Sequence, residues 1–173
     1  MRTMKTLIVI DCQNDFITGP LGSKEAQMIV PKVKQKIEEY KERDDIIIFT
    51  RDTHYSWYSK TLEGKKLPVL HCIKDTDGWQ IVEEIIPTNT TLRIIDKDSF
   101  GYDNWKRTSI IGDIEIIGVC TDICVISNAL SLKAAYPETE ITIDASCCAG
   151  TSPESHQRAL AAMEVCQINI INN

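Results

Sequence analysis

Residues that can do acid–base, nucleophilic or metal chemistry follow the short hydrophobic runs of this sequence. Asp11 follows the first run, Asp52 and His54 follow the second, Lys97 follows the third, and Cys124 comes shortly after the fourth. In an open parallel sheet, ligands bind beyond the carboxyl ends of the strands, so these side chains are expected to converge at one edge. An acid, a lysine and a cysteine together favour nucleophilic catalysis, and a carboxylate with histidines favours a metal site.

Cys124 lies where the segment after the fourth run is predicted to become a helix. A thiol at the start of a helix lies near the positive end of the helix dipole, which lowers its pKa. A neighbouring acid could move its proton, a lysine would stabilise both charges, and backbone N–H groups could hold an oxyanion. The alternative is that Cys124, one of seven cysteines, is a small buried residue at a tight turn.

Asp52, His54 and His71 are the candidate metal ligands. Side chains two residues apart on an extended segment point to the same side, so Asp52 and His54 can share an ion. His71 would close the site from the far end of a long polar connection. Two imidazoles and one carboxylate leave positions for water or substrate, as in catalytic sites. The alternative is a surface Asp52 paired with Arg51 or Lys97, with both histidines as polar loop residues.

Other roles are open for the remaining charged residues. Lys97 could pair with Asp96 or Asp98 at the end of its strand. Asp11 could cap the loop that follows it, which is a common local use of aspartate. Asp122 could satisfy backbone donors at the helix start.

The hydrophobic runs that must position these residues recur six times. They are nearly continuous rather than alternating, as expected of strands covered by helices on both faces. The runs are Leu7–Asp11, Ile46–Thr50, Leu92–Asp96, Ile114–Val119, Ile141–Asp144 and Ile168–Ile171. Their alternation with helical segments predicts an α/β fold, a doubly wound, mainly parallel six-stranded sheet of the Rossmann-like type with helices on both faces. Residues 1–173 are expected to form a single domain.

Three stretches are predicted to be helical. Met28–Arg43 and Ile123–Ala135 carry apolar residues at helical spacing. A last helix opens at Thr151, because Thr151 and Glu154 have the spacing of a capping box. The polar connection Arg51–Gln80 interrupts the regular alternation, and loops of that length in a compact domain are usually functional.

Composition excludes several classes of protein. The chain of 173 residues has a net charge of −6, and 43% of its residues are hydrophobic and 25% charged, which is typical of globular proteins. The acidic balance without a Lys/Arg block argues against nucleic acid or an anionic membrane as a partner. No apolar run is of membrane-spanning length, and no secretory pattern precedes the first strand, so a cytoplasmic protein without disulfides is expected.

Taken together, these residues resemble the isochorismatase-like cysteine hydrolase superfamily and, within it, the nicotinamidases and pyrazinamidases. The segment Gly118–Val125, with the sequence Gly-Val-Cys-Thr-Asp-Ile-Cys-Val, is a specific match. The other matching segments are Leu7–Phe16, Thr50–His54, His71–Cys72, Asp96–Phe100 and Asp144–Ala145. They span nearly the whole chain in the family's order, so membership of this superfamily is expected.

The resemblance implies a catalytic triad of Asp11, Lys97 and Cys124. It also implies a cis peptide bond just before Cys120, which turns the N–H of that residue into an oxyanion hole beside the N–H of Cys124. In such a triad the cysteine attacks an amide, the aspartate moves the protons, and the lysine holds the aspartate in place.

The resemblance further implies a divalent metal ion held by Asp52, His54 and His71. Zinc, manganese and iron all suit that ligand set. Members of the superfamily are commonly dimers or tetramers, so a homo-oligomer acting on a small-molecule amide is expected.

The chain departs from the usual nicotinamidase pattern around the substrate pocket. A further histidine usually follows Asp-x-His soon after, but Tyr55–Tyr58 contains none, and Leu67–Leu70 stands where Trp-Pro is usual. Another aromatic residue must then form the pocket wall, and the candidates are Phe16, Trp57 and Phe100.

The sequence thus predicts a metal-dependent, nicotinamidase-like cysteine amidohydrolase. It would convert a small carboxamide such as nicotinamide to the acid and ammonia through a thioester, a reaction of pyridine nucleotide metabolism. Two alternatives stay open. One is a cysteine hydrolase of another small substrate, such as an N-carbamoyl compound or a different amide. The other is a non-catalytic metal-binding or partner protein of the same fold.

Overall fold

The centre of the molecule is a six-stranded sheet in which every neighbouring pair of strands is parallel. The computed structural model describes residues 3–173. Its strands are β1 (Thr6–Ile10), β2 (Ile46–Asp52), β3 (Arg93–Lys97), β4 (Ile114–Val119), β5 (Ile141–Ala149) and β6 (Asn169–Ile171). They lie in the order β3-β2-β1-β4-β5-β6, so the predicted doubly wound α/β fold is confirmed.

Helices cover both faces of this sheet. They are α1 (Asn14–Ile17), α2 (Lys24–Glu42), α3 (Leu62–Lys66), α4 (Ile126–Ala135) and α5 (Pro153–Val165). Alternate residues of β1 enter two cores: Leu7 and Val9 pack with α2, while Ile8 and Ile10 pack with α4 and α5. Burial on both faces explains why the strand is continuously apolar. Within residues 3–173, no helix is both long and apolar enough to cross a membrane.

Three helix starts differ from the prediction: α4 begins at Ile126 rather than Ile123, and hydrogen bonds give the reason for the other two. Helix α2 begins at Lys24 rather than Met28, because the Ser23 hydroxyl accepts from Ala26 N at 3.0 Å and caps it. Helix α5 is capped by Ser152, whose hydroxyl accepts from Ser155 N. The capping box predicted at Thr151 is therefore wrong. Thr151 instead bonds Asp122 through its N–H and its hydroxyl.

The strand order places a crevice between the carboxyl ends of β1 and β4. The chain runs outward from β1 to β2 and β3, then returns to β4 on the other side of β1. This reversal is the topological switch point at which open α/β sheets bind ligands. Close approach of the two strands requires Gly118, which has a φ of 123°, because a Cβ atom there would lie 2.1 Å from Ile10 O.

Candidate active site

Asp11, Lys97 and Cys124 meet at the switch point. Asp11 ends β1 with a positive φ of 47°, and Lys97 is the last residue of β3. Lys97 Nζ lies 2.6 Å from Asp11 Oδ2 and 3.7 Å from Cys124 Sγ. Thr50 donates a hydrogen bond of 2.6 Å to Asp11 Oδ1. The structure thus brings together the three side chains of the predicted triad, all of them buried.

Of the other pairings considered for Lys97, the one with Asp52 occurs and the one with Asp96 does not. Asp96 pairs with Arg51 at 2.7 Å and not with Lys97. Asp52 lies 3.6 Å from Lys97, as one of several contacts of a buried carboxylate. The Lys97 ammonium therefore lies in the buried site and is not a solvated charge at the end of its strand.

Burial dominates the proton affinities in this group. It raises the pKa of the Cys124 thiol well above its ordinary value, and the charge of Lys97 opposes the increase without cancelling it. Burial also raises the pKa of Asp11, again against the effect of Lys97. The pKa of Lys97 would fall on burial, but Asp11, Cys124 and Asp52 raise it, so the ammonium stays charged. The net direction is thus opposite to the lowering predicted from the helix start, because burial is the largest influence on this thiol.

A π-helical turn, Thr121–Val125, carries Cys124 from β4 into α4. It follows a cis peptide bond between Val119 and Cys120, as the family resemblance implies. Val125 N donates to Cys120 O at 3.0 Å and closes the turn. Cys120 and Cys124 both line one cavity. All seven cysteines are free, and five of them are buried.

Four side chains form a cluster of possible metal ligands beside this cavity. Asp52, His54 and His71 were predicted, and Glu63 joins them. His54 Nε2 lies 2.9 Å from Asp52 Oδ2 and 3.4 Å from Glu63 Oε1. His71 Nε2 lies 3.5 Å and 3.8 Å from the same two oxygens. One ligand atom from each residue falls within 4.8 Å of all the others.

The free atoms of this cluster fit a divalent cation. Asp52 Oδ1 and His54 Nε2 are buried without a hydrogen-bond partner, which is costly unless an ion satisfies them. His71 Nδ1–H donates to Val69 O at 2.8 Å, so its Nε2 is the nitrogen that faces the cluster. Burial alone would lower the pKa of His54, but the carboxylates of Asp52 and Glu63 raise it to about 9. The cluster therefore favours a positive charge, and two imidazoles with two carboxylates suit zinc, manganese or iron.

Two residues of this site, Glu63 and Gln13, were not predicted from the sequence. Glu63 lies in α3, which begins after the cap Thr61, whose hydroxyl accepts from Gly64 N at 2.9 Å. Gln13 fixes the backbone of Asp52: its Nε2 donates to Asp52 O at 2.8 Å, and its Oε1 accepts from Asp52 N at 2.7 Å. Gln13 belongs to the family-like segment Leu7–Phe16, but its type alone gives no sign of this role.

A cavity of about 340 Å³ connects the metal cluster to Cys124. Phe16 and Phe100 line it, as predicted for the pocket wall. Further apolar residues line it at Leu21, Ala26, Leu67, Val119, Ile123 and Ala149. Trp57 lies outside the wall, contrary to the prediction, because it stacks on Tyr55 at 4.7 Å and is 55% exposed. An apolar cavity with a few polar groups at its ends suits a small, mostly apolar ligand.

The protein is thus of the doubly wound α/β class, with an acid, a lysine and a thiol in contact at its switch point. A family model described as Isochorismatase domain matches residues 5–172. The chain therefore belongs to the isochorismatase family, as the sequence motifs predicted.

Known proteins resemble this chain over nearly its whole length. A nicotinamidase of Saccharomyces cerevisiae is 29% identical over 221 residues, covering 98% of this chain and all of the relative. A crystal structure of pyrazinamidase/nicotinamidase from Streptococcus mutans is 28% identical with a TM-score of 0.81, covering 96% of this chain and 99% of the other. That of Pyrococcus horikoshii pyrazinamidase in complex with zinc is 25% identical with a TM-score of 0.80, covering 97% and 98%. The chain resembles nicotinamidases and is a hydrolase acting on amide C–N bonds, as predicted.

Proposed function

We propose that this protein is a metal-dependent cysteine amidohydrolase that converts nicotinamide to nicotinate and ammonia. The observation that carries the proposal is the buried contact of Lys97 with both Asp11 and Cys124, because Cys124 lines the same cavity as three of the four candidate metal ligands. Residues 1–173 would act as one hydrolase domain, with Asp11, Lys97 and Cys124 as the catalytic triad.

Acylation would begin with proton transfer from the Cys124 thiol to the Asp11 carboxylate. The sulfur then attacks the amide carbon, and the backbone N–H groups of Cys120 and Cys124 hold the oxyanion. Asp11 returns the proton to the leaving nitrogen, the C–N bond breaks, and ammonia departs from a thioester on Cys124. The raised pKa of Asp11 suits this role, because a stronger base takes a proton from a buried thiol more readily.

In deacylation, Asp11 would act first as a base and then as an acid. Asp11 takes a proton from water, the hydroxide oxygen attacks the thioester carbon, and the C–S bond breaks. Asp11 then returns its proton to the sulfur, which restores the thiol and releases the carboxylic acid. Lys97 holds Asp11 in register throughout and balances the negative charge that moves between oxygen and sulfur.

Asp52, His54, Glu63 and His71 would hold the metal ion beside the cavity. When bound, the ion would supply a Lewis acid that orients the substrate, through a pyridine nitrogen or through its bound waters. Support for this assignment is the pair of buried, unsatisfied ligand atoms, Asp52 Oδ1 and His54 Nε2. Phe16 would pack against the substrate ring.

A second substrate class is favoured by one feature of the wall. Leu67, an aliphatic residue, lines the cavity near the place where the family usually has Trp-Pro. An aliphatic wall accepts a non-planar group as readily as a flat ring, so an N-carbamoyl compound or another small amide is the alternative substrate.

Ammonia release by the purified protein tests the proposal. Nicotinamide and an N-carbamoyl amino acid would be assayed side by side, with metal-loaded and metal-stripped samples of each. We expect ammonia from nicotinamide, lost on stripping and recovered when zinc, manganese or iron is restored. Release from the N-carbamoyl compound alone would move the substrate assignment to the second class. No release from either substrate with any metal would overturn the proposed function.

A further inference from the structure

Asn128 connects the turn that carries Cys124 to the loop after β3 that contains Phe100. Its side chain is fully buried in α4. The amide nitrogen donates to Cys124 O at 2.8 Å and to Phe100 O at 3.0 Å. The amide oxygen accepts from Tyr102 N at 2.9 Å and from Trp105 Nε1 at 3.1 Å. All four hydrogen bonds that an asparagine amide can form are therefore made.

The loop held in this way, Ser99–Trp105, begins two residues after the last residue of β3 and borders both Lys97 and the cavity. Lys97 Nζ donates to Ser99 O at 3.1 Å, and Phe100 lines the cavity while remaining 44% exposed. Phe100 thus forms an outer, partly exposed portion of the cavity wall. The hydrogen bond from Asn128 to its carbonyl oxygen is an anchor from the protein interior.

We propose that Asn128 is a positioning residue that fixes the Phe100 wall relative to Cys124, and so keeps the substrate cavity closed on its outer side. The proposal rests on the proposed function in treating this cavity as the substrate site. Only an amide side chain can serve here, because two carbonyl oxygens need donors and two N–H groups need an acceptor.

Replacement by serine distinguishes the hydrogen bond to Cys124 from the hydrogen bonds to the loop Ser99–Trp105. A helical serine hydroxyl can donate to the carbonyl four residues earlier, so Asn128→Ser keeps the bond to Cys124 O. It is too short to reach Phe100, Tyr102 and Trp105, and the loop loses its anchor. Ser127→Ala is the matched control. Ser127 precedes Asn128 in the same helix, and its hydroxyl also donates to the carbonyl four residues earlier, Ile123 O, at 2.6 Å.

Peptide-mapped labelling of the cysteines with N-ethylmaleimide tests the proposal without requiring turnover. In Asn128→Ser, we expect Cys124 to react about fivefold or more faster than in the wild type, because the outer wall opens locally. Cys12, Cys72, Cys147 and Cys148 are buried elsewhere and should stay as slow as in the wild type. Unchanged labelling of Cys124 would overturn the proposal. Equal acceleration of all the buried thiols would also overturn it, since it would indicate general loosening.

Steady-state kinetics supply the second readout. Loss of the fixed wall should raise the KM for nicotinamide about tenfold in Asn128→Ser and lower kcat much less, because the turn of Cys124 stays in place. Ser127→Ala should match the wild type in both constants. A fall in kcat at unchanged KM would contradict the assignment to the wall. If the wild type released no ammonia from nicotinamide, the proposed function would fail, and the labelling result would still decide the role of Asn128.

Discussion

Asp11 raises the pKa of the Cys124 thiol at the centre of the site. The Asp11 carboxylate raises the pKa of the thiol through its charge and its hydrogen bond, in addition to the larger effect of burial. Lys97 contacts both groups and opposes these increases. Burial and the Asp11 carboxylate therefore both favour the thiol form of Cys124 over the thiolate.

Replacing Asp11 by Asn should change turnover and thiol reactivity in opposite directions. The carboxamide cannot take a proton, so we expect kcat to fall by about 10²–10⁴-fold. Loss of the negative charge lowers the pKa of the Cys124 thiol, so iodoacetamide should alkylate Cys124 faster at neutral pH. The exposed Asp98→Asn is the control and should resemble the wild type. Retained turnover, or slower alkylation of Cys124, would contradict the role given to Asp11.

Glu63 is the member of the metal cluster that lies in a helix, α3, between β2 and β3. Glu63→Gln keeps the size of the side chain but removes a negative charge 3.4 Å from His54 Nε2. We expect the Kd for zinc, measured by competition with a chelator, to rise by at least the roughly 10–100-fold that loss of an outer-shell partner costs. The exposed Glu83→Gln should leave it unchanged. An unaltered Kd in Glu63→Gln would remove Glu63 from the site.

The candidate residues differ in how well the sequence could predict them. Asp11, Asp52, His54, Lys97 and Cys124 stand next to strand ends, so the strand pattern and the rule for parallel sheets predicted where they meet. Glu63 and Asn128 lie inside helices among ordinary polar residues. Their roles depend on which loop folds against them, and nothing in local spacing specifies that.

Between elements, Lys36 of α2 connects the helix to two strands of the sheet. Its ammonium lies 2.7 Å from Glu115 on β4 and 2.9 Å from Asp144 on β5. Burial alone would raise the pKa of Asp144, but hydrogen bonds from Lys36, Ser146 and Asn172 hold it below its ordinary value of 3.8. The pairing therefore stabilises the fold when Asp144 is ionised.

Lys36→Met should lower the free energy of unfolding by about 2 kcal/mol at pH 7, because two poorly solvated carboxylates lose their cation. A group whose pKa is lowered on folding stabilises the protein above its ordinary pKa, and the effect is lost as the pH falls through the folded value. The difference between wild type and variant in urea unfolding should therefore shrink below about pH 3.8. Lys34→Met, at an exposed position of the same helix, is the control. A difference that persists or grows at low pH would contradict this interpretation.

The strands were predicted more closely than the helix ends. Continuous apolar runs gave β4 as Ile114–Val119, and the start of β5 at Ile141, because burial on both faces leaves a strong pattern. Helix starts depend on single capping hydrogen bonds. Ser152 and Thr151 are equally plausible caps by type, and contact with Asp122 decides which of them is free to serve.

At the scale of the whole molecule, the sheet order brings distant segments to one crevice. The carboxyl ends of β1 and β4 supply Asp11 and the turn of Cys124, and β3 supplies Lys97 from the sheet edge. The connection from β2 to β3 folds back with His71 and Glu63 to complete the metal cluster. The site is thus assembled from most of the chain, so its integrity and that of the fold are coupled.

Metal binding should therefore stabilise the whole fold. Only the folded chain brings the four ligands within reach of one ion, so binding adds to the free energy of unfolding. We expect a gain of about 2.7 kcal/mol at a free metal concentration one hundred times the Kd. The measurement is the Tm of stripped protein titrated with zinc or manganese, and calcium, which prefers more oxygen ligands, is the control. A Tm that stays unchanged on addition of zinc and of manganese would contradict the proposed metal site.

The most direct test of the central claim compares ammonia release from nicotinamide by the wild type and by Cys124→Ala at equal metal content. We expect turnover by the wild type and a loss of about 10³-fold or more in the variant, as when a covalent nucleophile is removed. Cys166→Ala, which removes an exposed thiol, should keep the wild-type rate. Turnover by Cys124→Ala at the wild-type rate would contradict the assignment of Cys124 as the nucleophile.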